Sequence, residues 1–153
     1  MTDRCVVHST FSLERVYEMP TGRVFAAWAD PAVKARWFSP NGPHELDFRV
    51  GGREVNRGHN QEGQVLTFES HYHDIVIGQR IAYTSTLSVG ENVATVSLTT
   101  VELNPDGNMT RLVLTEHGAF LDAHEQPAWR EQGTGEWLDA LGAELEHSKS
   151  TPT

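Results

Sequence analysis

From about Asp122 to His147 the large apolar side chains Trp129, Trp137, Leu138, Leu141 and Leu145 recur at helical spacing, with Gly133 among them. Arg130, Glu131, Glu136, Asp139, Glu144 and Glu146 occupy the other side, so the stretch predicts an amphipathic helix. Such a helix is marginal by itself in water, and each fully buried Leu or Trp is worth roughly 1.5–3 kcal/mol, so its stability must come from whatever covers the stripe. No second long helical pattern is present to pair with it, and Asp47 to His117 reads as strands and tight turns. The expected architecture is α+β, one long C-terminal helix gripped by an antiparallel sheet, with Trp137 and Leu141 central and Leu138 at the helix edge.

The remaining chain supplies that sheet. Val6 to Tyr17 reads as a first strand, stopped by Met19-Pro20. Val24, Phe25, Ala27 and Trp28 then recur at helical spacing, predicting a short helix from Pro20 to about Ala29. Asp30-Pro31 begins a second, with Val33, Trp37 and Phe38 as its apolar face, and Ser39 to Pro43 ends it. Strands follow at His44–Arg49 and Arg53–His59, separated by the turn glycines Gly51-Gly52. After Asn60 to Gly63, one strand face carries Leu66, Phe68, Ser70 and Tyr72, and the other carries Val65, Thr67, Glu69, His71 and His73. Ile81, Tyr83, Ser85 and Leu87 share the inner face of the next strand. Beyond Gly90, Val96 and Leu98 take one parity while Val101 and Leu103 take the other, which predicts a bulge near Thr99-Thr100. Asn104-Pro105-Asp106-Gly107 makes a hairpin, and the last strand, Met109–His117, places Leu112, Leu114 and Glu116 together. Residues 1–147 read as one domain and 148–153 as a disordered polar tail.

Composition excludes several functions. With 12 Lys and Arg against 21 Asp and Glu, the formal charge is -9, and such a surface repels phosphate backbones, so nucleic acid is not an expected partner. The lone Cys5 forms no internal disulfide and no signal peptide is read after Met1, which together lead to the expectation of a cytoplasmic protein. No apolar stretch approaches the roughly 18 residues of a membrane span. There is no nucleophile elbow, no catalytic triad, no phosphate-binding loop and no dinucleotide fingerprint, so no cofactor is expected. His71 and His73 point to the same side of their strand, but that side is the solvated one and no three- or four-ligand set accompanies them, so no metal is expected.

The order and spacing of several segments carry a resemblance. Pro20 to Phe25, Ala27-Trp28-Ala29-Asp30-Pro31, Trp37-Phe38-Ser39-Pro40 and Asp47 to Gly52 come first. Tyr72 to Val76, Arg80-Ile81, Thr110-Arg111-Leu112, Thr115-Glu116 with Gly118 to Leu121, and Gly133 to Leu141 follow. Nearly the whole chain resembles the single-domain bacterial branch of the family named for the activator of the ninety-kilodalton heat-shock protein's ATPase. This family lies within the superfamily of START lipid-transfer domains, birch-pollen-allergen-like proteins and polyketide cyclases. The resemblance implies a helix-grip fold, a curved antiparallel sheet around a long C-terminal helix, with two short helices closing one end and often an apolar cavity.

The residues expected to line such a cavity are Phe68, Tyr72, Tyr83, Leu98 and Leu114 from the sheet and Trp129 and Trp137 from the helix. Trp37 and Phe38 would close one end, and Glu116 would be a polar point at the mouth, solvated or paired with an arginine. Three functions stay open: capture of a small apolar or aromatic molecule, for sensing or stress response; a cyclase or hydratase in which Glu116 and Tyr83 move protons; and an interaction module with a protein partner or a second copy.

Overall fold

The computed structural model describes residues 4–149 of the chain. Its elements are β1 (Val6–Tyr17), α1 (Thr21–Ala29), α2 (Pro31–Phe38), β2 (His44–Leu46), β3 (Arg53–His59), β4 (Val65–Val76), β5 (Arg80–Val89), β6 (Asn92–Asp106), β7 (Met109–Leu121) and α3 (Pro127–Lys149). The strands form one antiparallel sheet in the order β1-β7-β6-β5-β4-β3-β2. All neighbours in sequence from β2 to β7 are neighbours in space, and only β1 crosses over, pairing Leu13 with Leu114 and Phe11 with Glu116. The curved open sheet holds α3 against its inner face, with α1 and α2 after the first strand, in an α+β helix grip.

Local chemistry sets the boundaries. The Asp30 carboxylate accepts from the N–H groups of Ala32 and Val33 at 2.9 and 3.2 Å, and Pro31 occupies the first helical position, so one residue ends α1 and begins α2. The strand expected over His44–Arg49 ends at Leu46, because the chain from Asp47 to Gly52 folds into a turn in which Gly51 takes φ 85°. A Cβ on Gly52 would run into the carbonyl oxygen of Asp47, so glycine is required there.

Two expectations about packing are corrected. No bulge interrupts β6 at Thr99-Thr100, since from Thr95 to Asp106 that strand pairs with β7 without a register shift. The irregularity lies at Leu87/Ser88, where Ala94 is left out of the ladder. Consequently Thr95, Ser97 and Thr99 share the inner face with Val101 and Leu103, while Val96 and Leu98 point outward, Leu98 being 43% exposed. The Thr95 and Thr99 hydroxyls meet buried carboxylates there, which inverts the usual apolar-in parity, while the Ser97 hydroxyl between them is buried without a partner.

The second correction concerns α3, which begins at Pro127 and not at Asp122. Asp122 and Ala123 take the left-handed φ values 54° and 57°, and the Asp122 carboxylate accepts from the N–H of Cys5 at 2.9 Å, tying the loop to the start of β1. The buried stripe of α3 is Arg130, Thr134, Leu138, Leu141 and Leu145. Leu138, expected at the edge, is fully buried, and Trp129, expected inside, is 63% exposed. Tyr17 fixes the helix by donating to the Leu138 carbonyl at 2.7 Å. Ser148 and Lys149 belong to the last turn of α3, and the disorder expected for 150–153 lies outside the described residues.

Candidate functional site

The N-terminal half of α3 does not close onto β3, β4 and β5. Between them lies a cleft of about 380 Å³, within the ordinary size of small-molecule sites. Strand alternation puts Leu66 and Phe68 of β4 and Leu87 of β5 on its floor, and helical spacing puts Trp129, Gly133 and Trp137 on the opposite wall. Trp137 packs on Phe38 with ring centroids 4.3 Å apart and on Phe68 at 5.8 Å, so one end of the cleft is an aromatic cluster anchored in the core. Two glycines line the opening, Gly58 of β3 and Gly133 of α3, and a Cβ on either would meet nothing within 4 Å. The missing side chains are part of what keeps the space open.

At the inner side of the cleft sits a buried ionic cluster. Arg130 donates through Nε and Nη2 to Glu125 at 3.0–3.2 Å and through Nη1 to Glu116 at 3.4–3.5 Å, and its guanidinium lies 5.2 Å from the Phe68 ring centroid. Thr95 donates to Glu125 at 2.5 Å and Thr99 to Glu116 at 2.8 Å. Burial pushes the Glu116 carboxyl above its usual range, against the pull of Arg130 and Thr99. Burial also raises the Tyr83 hydroxyl, with Glu116 adding to the effect. Behind Trp137, Glu116 and Tyr83 face a separate void of only about 20 Å³, room for one water.

A second buried network lies beside the short helices. Lys34 of α2, 1% exposed, donates to Glu54 Oε1 at 2.6 Å. His44 Nε2 lies 2.7 Å from the other carboxylate oxygen, and the Tyr72 hydroxyl donates to Glu54 Oε1 at 3.1 Å. The Lys34 ammonium sits 4.5 Å from the Phe38 ring centroid and 5.1 Å from that of Trp28. Burial raises the Glu54 carboxyl, but Lys34 and His44 more than offset this and hold it below the usual range. Lys34, His44, Glu54 and Tyr72 are hydrogen-bonded to one another and pin α2 to β3 and β4, while the Trp28 indole N–H beside them is buried without a partner.

The family described as Activator of Hsp90 ATPase homolog 1-like protein matches residues 18–146. The chain belongs to this family. Among solved structures, an uncharacterized protein from Rhizobium leguminosarum is 38% identical over 95% of this chain and 99% of its own, with a TM-score of 0.91. Mll3558 from Rhizobium loti is 43% identical over 92% and 99%, with a TM-score of 0.86. CV1439 from Chromobacterium violaceum is 30% identical over 90% and 96%, with a TM-score of 0.77. A search of curated proteins gives no match.

In this family member, the residues expected to line one cavity are divided among several places. Phe68 and Trp137 line the cleft, and Trp129 stands exposed at its rim. Trp37, Phe38, Tyr83, Leu114 and Glu116 surround the small inner void. Tyr72 is buried in the Lys34–Glu54 network. Leu98 lies on the outer sheet face and lines neither space, for the parity reason given above. Glu116, expected at a mouth, is 4% exposed and paired with Arg130, which sequence spacing places on the polar side of the helix. Among the described residues no three of His, Cys, Asp and Glu come together as a metal site. His71 lies on the exposed face 3.7 Å from Glu69, and His73 is hydrogen-bonded to Thr84. No helix of the described residues is long and apolar enough to cross a membrane.

The Lys34–Glu54 network and the role of Arg130 escaped sequence reading, although both left signals. Lys34 is three and four residues before Trp37 and Phe38, which places it on the apolar face of α2. Glu54 shares strand parity with Asn56 and Gly58, which pair with Ser70, Phe68 and Leu66 on the inner face. Arg130 is four residues before Thr134 and eight before Leu138, in line with the buried stripe.

Proposed function

We propose that this protein binds a small apolar or aromatic molecule in the cleft between α3 and strands β3 to β5. The observation that carries this reading is the cleft itself: about 380 Å³, walled by Leu66, Phe68, Leu87, Trp129 and Trp137, with Gly58 and Gly133 at its opening. Core packing normally leaves no such space, and apolar surface lining an open cleft is where a ligand gains most from leaving water. The family's helix-grip fold accords with this use. The buried aromatic cluster around Phe38 gives the site a rigid end, and the polar groups at the other end supply orientation.

A panel of apolar and aromatic compounds, followed by tryptophan fluorescence and thermal melting, tests the reading. A ligand filling the cleft should change the emission of Trp129 and Trp137 saturably. It should also stabilise the folded state by about 2.7 kcal/mol at a hundredfold excess over Kd. Gly58→Trp should remove both responses while preserving the fold, since its ring would enter the cleft and Trp suits a strand better than Gly. A panel without any saturable response would sink the proposal.

A further inference from the structure

The charges around the cleft do not balance, and the imbalance bears on what its occupant carries. Glu125 and Glu136 line the cleft, and among the described residues the only cation lining it is Arg130. That guanidinium is already committed: Nε and Nη2 donate to Glu125, and Nη1 donates to Glu116 behind it. It is 5% exposed and is gripped between these carboxylates and the face of Phe68, so it has little to offer an incoming anion. Two carboxylates, Glu116 and Glu125, therefore share one guanidinium, and Glu136 stands at the exposed rim with only a neutral partner among the described residues, Gln132, at 3.3 Å. Lys34, the one buried lysine, is locked onto Glu54 in a separate network.

The walls favour the same charge. Trp129, Trp137 and Phe68 present aromatic rings to the space, and the negative faces of such rings attract cations, Trp most of all. Phe68 already faces one cation, Arg130, at 5.2 Å. A carboxylate entering here would meet Glu125 and Glu136 with no free partner, whereas an ammonium would meet a carboxylate and a π-face together.

We infer that the cleft selects an amine, an apolar or aromatic body carrying an ammonium group, over the matching alcohol and carboxylic acid. This deepens the cleft reading and rests on it. The apolar body lies along Leu66, Phe68 and Leu87, and the ammonium sits on the α3 wall between Trp129 and Trp137, on the side of Glu136, the lining carboxylate without a cation.

Titration of tryptophan fluorescence with phenylbutylamine, phenylbutanol and phenylbutyrate separates the two levels of the argument. The amine should bind about tenfold tighter than the alcohol, the difference one charged contact over an aromatic face supplies, and phenylbutyrate should bind weakest. Glu136→Gln, at an exposed position whose change leaves the core untouched, should reduce the preference for the amine without abolishing binding of phenylbutanol. Glu125→Gln should reduce it too. If phenylbutanol binds as tightly as the amine, or phenylbutyrate binds more tightly, the inference falls and the apolar cleft stands. A preference for the amine that is unchanged in both variants would place its cause outside the cleft and would also overturn the inference. If none of the three binds and Gly58→Trp behaves as the parent does, the cleft reading falls with it.

Discussion

Glu54 accepts from Lys34, His44 and Tyr72 while almost wholly out of water, so removing one partner should expose the cost of burying the others. Lys34→Met leaves the Glu54 carboxylate short of its main counter-charge and should destabilise the protein by about 3–5 kcal/mol in chemical denaturation. The double variant Lys34→Met with Glu54→Leu should lose less than the two single losses combined, because the orphaned charge is gone. The two buried carboxyls should also give opposite pH dependence. Glu54 is held below its ordinary 4.5, so its contribution is present above that pH and lost as pH falls through the lower folded value. Glu116 is raised above 4.5, so the folded state holds its proton longer and stability declines as pH rises from 4.5 through the folded value. Stability measured against pH should lose the acid-side component in Glu54→Gln and the opposite component in Glu116→Gln. Sequence alone reached Glu116, because it shares parity with Leu112 and Leu114. It reached Leu98 wrongly, because Thr95 and Thr99 take the inner face to satisfy Glu125 and Glu116, an exchange that hydropathy cannot show.

Among the elements, α3 has the most to lose. Leu138 and Leu141 are both fully buried against the sheet, and alanine at either should cost about 2–5 kcal/mol, through lost burial and the cavity left behind. Trp137 is only partly buried and packs on Phe38 and Phe68 at the cleft end, so Trp137→Ala should affect ligand binding more than it affects stability. Denaturation of the three variants side by side checks the order, and equal losses would contradict the observed helix rotation. The existence of this helix was legible from the Trp137–Leu141–Leu145 spacing. Its rotation was not, since Arg130 and Thr134 continue the stripe toward the cleft as polar residues, and a polar residue facing a carboxylate reads in sequence as a solvated one. The start of α3 was also missed, because the left-handed conformations of Asp122 and Ala123 have no glycine to mark them.

At the scale of the molecule, the helix grip divides the inner space into a sealed aromatic core and an open cleft. α1 and α2 close one end, where Trp28, Trp37 and Phe38 pack edge to face and surround Lys34. At the other end, Glu125 and the Arg130 cluster brace the start of α3 against β6 and β7, and the glycines at positions 58 and 133 leave its flank uncovered. The fold could be read from strand alternation and turn residues, which are local. The cleft could be read only in part: Phe68, Trp129 and Trp137 were expected along a helix–sheet cavity and line the cleft, but its extent is made by the distance between elements and by side chains missing at Gly58 and Gly133. The most direct test of ligand capture is an amide NMR titration with the tightest binder from the panel. The account predicts saturable shifts at Gly58, Leu66, Phe68, Leu87, Gly133 and Trp137 and at the Trp129 indole, with the outer face around Val96 and Leu98 unmoved. Shifts confined to that outer face, or none in the cleft at saturation, would contradict it.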